Sequence, residues 1–136
     1  MRDVHIHFLH GHGGGYTQEF FEGFIAAAQH AGLDEIYLLE HTHQFTEFEK
    51  VYAPIREYNE YQRVWIKRKM DGSIENYLRF IETVRGNKYP VKMKFGLEAC
   101  YIPETADILA GILDRFDLST ARELLSFECE EKFLGY

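Results

Sequence analysis

The sequence predicts an α/β fold, parallel strands with helices packed outside them, and three observations carry that expectation. Short segments of strand length (residues 3–8, 36–39 and 91–98) are either alternating or wholly apolar, and longer stretches between them carry apolar residues at spacings of three and four. A parallel crossover must be long enough to bring the chain back to the same end of the sheet, and the helical stretches supply that length. All seven histidines, His5, His7, His10, His12, His30, His41 and His43, lie in the first 43 residues, and four of them crowd two strand ends. Carboxyl ends of parallel strands are where such folds collect their chemistry. At 136 residues the chain matches a single domain spanning 1–136.

The elements follow in order. In Asp3-Val4-His5-Ile6-His7-Phe8, residues i and i+2 of a strand share a face, so His5 and His7 point one way while Val4, Ile6 and Phe8 cover the other side. Gly11 and Gly13-Gly14-Gly15 then make a loop, since a glycine run has too much backbone freedom for regular structure. Thr17 reads as a helix cap, Phe20, Phe24, Ala27, Ala28 and Ala31 form a stripe, and Gly32 is the stop, giving a helix over about 17–31. Ile36 to Leu39 is a short apolar strand that delivers Glu40, His41 and His43 at its end. The polar and aromatic stretch 46–70 contains Pro54 and predicts a turn followed by a helix over about 55–69. Ser73 opens a helix with Ile74, Tyr77, Leu78, Ile81 and Val84 along one stripe and Gly86 past its end. Val91 to Glu98 alternates, placing Glu98 opposite the apolar set of Val91, Met93, Phe95 and Leu97. Helices over about 104–115 and 119–132 complete the expectation.

Composition narrows the function classes. A hydrophobic content of 46%, with 11 Phe and 9 Tyr, excludes a disordered chain. The formal charge of −7 disfavours extended contact with nucleic-acid backbone, which needs clustered Lys and Arg. One basic stretch exists: Arg63, Lys67, Arg68 and Lys69 surround Trp65. It reads as a solvated helix face with Trp65 packed inward, the alternative being a contact for a phosphate or an anionic partner. With no apolar run of membrane length and no signal-peptide pattern, the expected location is the cytoplasm. Cys100 and Cys129 are too few for a disulfide framework and are expected as reduced thiols.

The histidine pair is a chelating arrangement. A metal ion needs lone pairs that converge at about 2 Å, and neighbours on one strand face supply two of them. Imidazole and carboxylate suit borderline and hard divalent ions, and the lack of a cysteine at these strand ends argues against a closed structural zinc site. The alternative is a set of buried, hydrogen-bonded histidines with no ion.

The start His5-Ile6-His7, the strand end Leu38-Leu39-Glu40-His41-Thr42-His43 and the strand end Phe95-Gly96-Leu97-Glu98 together resemble the first three metal motifs of the polymerase and histidinol phosphatase (PHP) family, in its histidinol-phosphatase-like branch. The resemblance covers roughly residues 1–117. It implies a distorted (β/α)7 barrel holding two or three divalent ions, usually Zn, Mn or Fe, that activate water to hydrolyse phosphate esters. It further implies that His5 and His7 hold the first metal, that Glu98 bridges two metals, and that His41 binds the third, with His12 from the glycine-rich loop as its partner. No side chain is implied as catalytic beyond the metal-activated water. His10 and His43 are extra to the motifs, expected to be hydrogen bonded or exposed, and His30 is expected as an ordinary surface residue.

The chain also departs from that family. No histidine follows His43, so the later strands' ligands and the terminal Asp-x-His pair have no counterpart. The expectation is therefore a partial (β/α)7-type barrel, incomplete in its C-terminal half and closed off by the helix beginning at Ser119. Such a half barrel leaves an unpaired strand edge and apolar surface, which a homodimer would cover. One to three divalent ions per chain are expected, with one well-formed site at His5, His7 and Glu98. Hydrolysis of a small phosphate monoester, histidinol phosphate or a relative, is the expected activity, reduced or absent because motifs are missing. A non-catalytic metal-binding or oligomeric PHP remnant is the alternative.

Overall fold

The computed structural model describes residues 1–8 and 15–116, together with the backbone of 124–129. Strands β1 (Arg2–Ile6), β2 (Glu35–His41), β3 (Lys92–Tyr101) and β4 (Leu124–Cys129) form one sheet in chain order, and every neighbouring pair is parallel. The fold is thus α/β with parallel strands, and the described sheet is open, with β1 and β4 as its edges. Crossovers are made by α1 (Gln18–His30), by the succession α2 (Ala53–Tyr58), α3 (Glu60–Lys69) and α4 (Ile74–Arg85), and by α5 (Ala106–Arg115). Among the described residues no helix is long and apolar enough to cross a membrane.

Register decides which side chains meet. β2 and β3 pair without interruption from Glu35↔Lys92 to His41↔Glu98. Tyr37, Leu39 and His41 therefore share a face with Lys94, Gly96 and Glu98, while Ile36, Leu38 and Glu40 share the other with Met93, Phe95 and Leu97. β1 pairs Asp3 with Ile36 and Ile6 with Leu38, so one extra residue is accommodated between them, as in a β-bulge.

The second face carries the core. Phe8, Leu38 and Phe95 are essentially inaccessible, as are Phe21 of α1 and Ile81 and Val84 of α4. The rings of Phe8, Phe21 and Phe80 meet pairwise at 5.3–5.8 Å. Burying each such side chain contributes about 1.5–3 kcal/mol before the cost of ordering it, and this layer locks α1 and α4 onto the sheet.

Helix boundaries follow local hydrogen bonding. The Thr17 hydroxyl accepts from Phe20 N at 3.3 Å and starts α1. Gly32, at φ +72°, takes the left-handed conformation that ends it. Ser73 precedes α4 as predicted, but its hydroxyl is turned away from the helix and donates to Glu47 Oε1 at 3.0 Å. Glu47 Oε2 accepts from Ile74 N at 3.2 Å, so the cap is a glutamate from 27 residues upstream.

Several predicted details are corrected. The helix expected over 55–69 is two helices, broken at Asn59, whose extended backbone (φ −159°, ψ 172°) ends α2 and whose side chain caps α3 by accepting from Gln62 N at 2.8 Å. The buried stripe of α1 is Phe21, Ile25 and Ala28; Phe20 and Phe24 are only partly covered, and Ala27 and Ala31 face outward. Val4 is 54% exposed instead of covering the sheet, because it sits on an edge strand where the extra residue between Asp3 and Ile6 breaks the alternation. Most consequentially, residues 124–129 of the helix expected over 119–132 form β4, paired with β3 from Gly96↔Leu124 to Tyr101↔Cys129. The backbone groups along β3 offer ladder hydrogen bonds that outweigh the helical reading of Leu124-Leu125. The remaining residues of that expected helix, 119–123 and 130–132, lie outside the described residues.

Candidate metal centre

The carboxyl ends of β1, β2 and β3 bring four of the predicted ligands, His5, His7, His41 and Glu98, to one point. Glu98 Oε2 lies 2.9 Å from His5 Nε2, 3.2 Å from His7 Nε2 and 3.5 Å from His41 Nδ1. The two Nε2 atoms of His5 and His7 are themselves 3.2 Å apart. The donor atoms of His5, His7 and Glu98 all lie within 4.8 Å of one another, a spacing compatible with one ion. Ligands at about 2.0–2.1 Å from a tetrahedral ion stand about 3.3 Å from each other, so the observed separations fit that size.

Backbone geometry prepares the donors. His7 Nδ1 contacts the Leu39 carbonyl oxygen at 2.5 Å, and a carbonyl only accepts, so Nδ1 carries the proton and Nε2 keeps its lone pair toward Glu98. A second partner on the far nitrogen is the usual means of orienting a metal-ligating histidine. His41 enters through register, standing directly opposite Glu98 in the β2–β3 ladder. Its ring stacks on His7 with centroids 4.0 Å apart and planes at 18°.

The site is graded from open to closed. The side chain of His5 is 44% exposed, whereas that of Glu98 is 5% exposed. Burying a carboxylate beside three imidazoles is costly without a compensating charge, and a divalent cation is one way to provide it. The donor set, two or three imidazoles and one carboxylate, therefore fits a borderline divalent ion.

The other histidines divide. His43 is buried, not exposed, and extends the stack, with centroids 4.6 Å from His41 and 4.8 Å from Trp65. His30 is exposed in the last turn of α1, as expected. His10 and His12, including the expected partner of His41, lie outside the described residues. Arg63, Lys67, Arg68 and Lys69 are exposed while Trp65 is partly buried against His43, which is the solvated-face reading of that stretch. Cys100 is a buried thiol, and the side chain of Cys129 lies outside the described residues.

Glu40 carries no predicted role, although an acid closing an otherwise apolar strand is a usable signal. It points away from the donor cluster, into the helix-packed face, and is fully buried. Its Oε1 accepts from Phe8 N at 2.5 Å, and Tyr16 Oη donates to its Oε2 at 3.5 Å. Burial and the Glu40 charge both push the Tyr16 and Tyr77 phenols upward, so each stays neutral. No family model, curated protein or solved structure matches this chain.

Proposed function

We propose that this chain is a metal-dependent phosphoesterase of the PHP, histidinol-phosphatase-like kind, acting on a small phosphate monoester. The observation that carries the reading is the convergence of His5, His7 and His41 on a single oxygen of Glu98 at parallel strand ends. The three strand-end motifs support the family, and under this reading the open sheet is the first part of a (β/α) barrel. His5, His7 and Glu98 would hold the principal ion, Zn, Mn or Fe, with His41 serving a neighbouring one. When bound, such an ion supplies Lewis acidity toward a phosphoryl oxygen and lowers the pKa of a water to about 7.

The chain's own residues do the positioning. His7 is committed as an Nε2 donor by its bond to the Leu39 carbonyl, and one buried oxygen of Glu98 stands 2.9 Å and 3.2 Å from the two strand-one imidazoles. The exposed flank of His5 is the side from which an ester of modest size can approach. A cytoplasmic location and a homodimer covering the sheet edges go with this reading.

The test is elemental analysis of the purified protein, followed by phosphate release from p-nitrophenyl phosphate and histidinol phosphate with added Mn2+ or Zn2+. At least one ion per chain is expected, with turnover abolished by His7→Ala and Glu98→Gln. Binding without turnover at any metal favours the non-catalytic metal-binding reading; a protein that takes up no ion overturns both that reading and the phosphoesterase.

A further inference from the structure

Glu40 occupies a position that an apolar residue would fill at lower cost. The preceding positions on its face of β2 are Ile36 and Leu38, both essentially inaccessible, and the rings of Phe8, Tyr16, Tyr77 and Phe80 pack on that same side of the sheet. A carboxylate there must be hydrogen bonded to be tolerated. Its partners are informative, because Oε1 takes the amide of Phe8, the residue that follows His7.

The β1–β2 ladder makes this bond consequential. The ladder reaches Ile6↔Leu38 after an irregularity, and His7 and Phe8 lie beyond it. Residues 7 and 8 are instead hooked to β2 on both faces of the strand. On one face His7 Nδ1 donates to the Leu39 carbonyl. On the other the Phe8 amide donates to the Glu40 side chain, which Tyr16 Oη steadies from α1's side.

We propose that Glu40 is a positioning residue for the donor cluster: by clamping the Phe8 amide it sets where His7 Nε2 stands relative to Glu98, without itself touching an ion. This rests on the metal-site reading above. Outer partners of metal ligands are worth about 10- to 100-fold in affinity, which sets the expected scale.

The experiment compares wild type, Glu40→Ala, Glu40→Gln and Tyr16→Phe. The readouts are Zn2+ affinity by chelator competition and hydrogen exchange of the Phe8 amide in metal-free protein. Glutamine keeps a carbonyl for the Phe8 amide, so Glu40→Gln is expected within about threefold of wild type in affinity with the amide still protected. Glu40→Ala is expected to lose at least about tenfold in Zn2+ affinity, with faster Phe8 exchange. Should Glu40→Ala fail to fold, Tyr16→Phe carries the test, with a smaller loss of Zn2+ affinity in the same direction. Wild-type Zn2+ affinity in a folded Glu40→Ala, or an unprotected Phe8 amide in wild type, overturns the clamp. A wild type that binds no Zn2+ but protects Phe8 overturns the metal reading and leaves the amide bond standing.

Discussion

His7 is held at Nδ1 by the Leu39 carbonyl, and its ring stacks on His41 with centroids 4.0 Å apart, so its side chain has little rotational freedom left. Removing it should therefore cost more than removing His5, whose side chain is nearly half exposed and can rearrange. His7→Ala is expected to weaken Zn2+ binding by at least tenfold more than His5→Ala does, measured by chelator competition. The same neighbourhood contains the chain's single tryptophan. Rings follow one another from His7 through His41 and His43 to Trp65 at 4.0, 4.6 and 4.8 Å. Loading the donor cluster should therefore change Trp65 emission, and His43→Ala should diminish that change while leaving the ligands in place; titration with Zn2+ followed by fluorescence checks it.

At the scale of elements, α4 is begun by a residue that is remote in sequence. Glu47 accepts from both the Ser73 hydroxyl and the Ile74 amide, tying the 3-10 turn over Thr46–Phe48 to the start of α4. Glu47→Ala should cost about 1 kcal/mol of stability, whereas Ser73→Ala, which removes only the donor to Glu47, should cost clearly less. Equilibrium urea unfolding of the two variants gives the comparison. These elements also show what the sequence makes legible. Regular signals are local: the alternation of Val91 to Glu98 and the spacing of Ile74, Tyr77, Ile81 and Val84 declare β3 and α4 directly, and the strand-end positions of His5, His7, His41 and Glu98 follow from them. What stays hidden depends on distant partners. Nothing near Ser73 announces that Glu47 will cap the helix, nothing near Leu124 announces the ladder offered by β3, and the role of Glu40 depends on the Phe8 amide reaching it across the sheet.

For the molecule as a whole, the helix-packed face contains two phenols that burial holds neutral, Tyr16 and Tyr77. In the unfolded chain tyrosines release their protons from about pH 10 upward, while these two keep theirs as long as the fold persists. The unfolded state then binds fewer protons, so stability falls as pH rises past about 10, and the contribution is fully present below that. Tyrosinate absorbance should accordingly rise in two phases, the second coinciding with loss of circular dichroism; Tyr77→Phe should shrink the second phase. Among the described residues β1 and β4 each have one neighbour in the sheet, and a parallel strand with an unpaired edge invites a partner. Light scattering at increasing protein concentration is expected to show a dimer.

The bond between His5 and Glu98 spans 93 positions of chain, and every strand contact beneath it is parallel. Contacts of that separation require two long loops to close, which makes folding slow. Under the metal reading, an ion that binds only the assembled cluster slows unfolding, and its effect on the refolding rate measures how far the cluster is formed at the barrier. Stopped-flow refolding and unfolding with and without Zn2+ gives that partition: slower unfolding at an unchanged refolding rate would make the cation a brake on unfolding with no part in starting the fold.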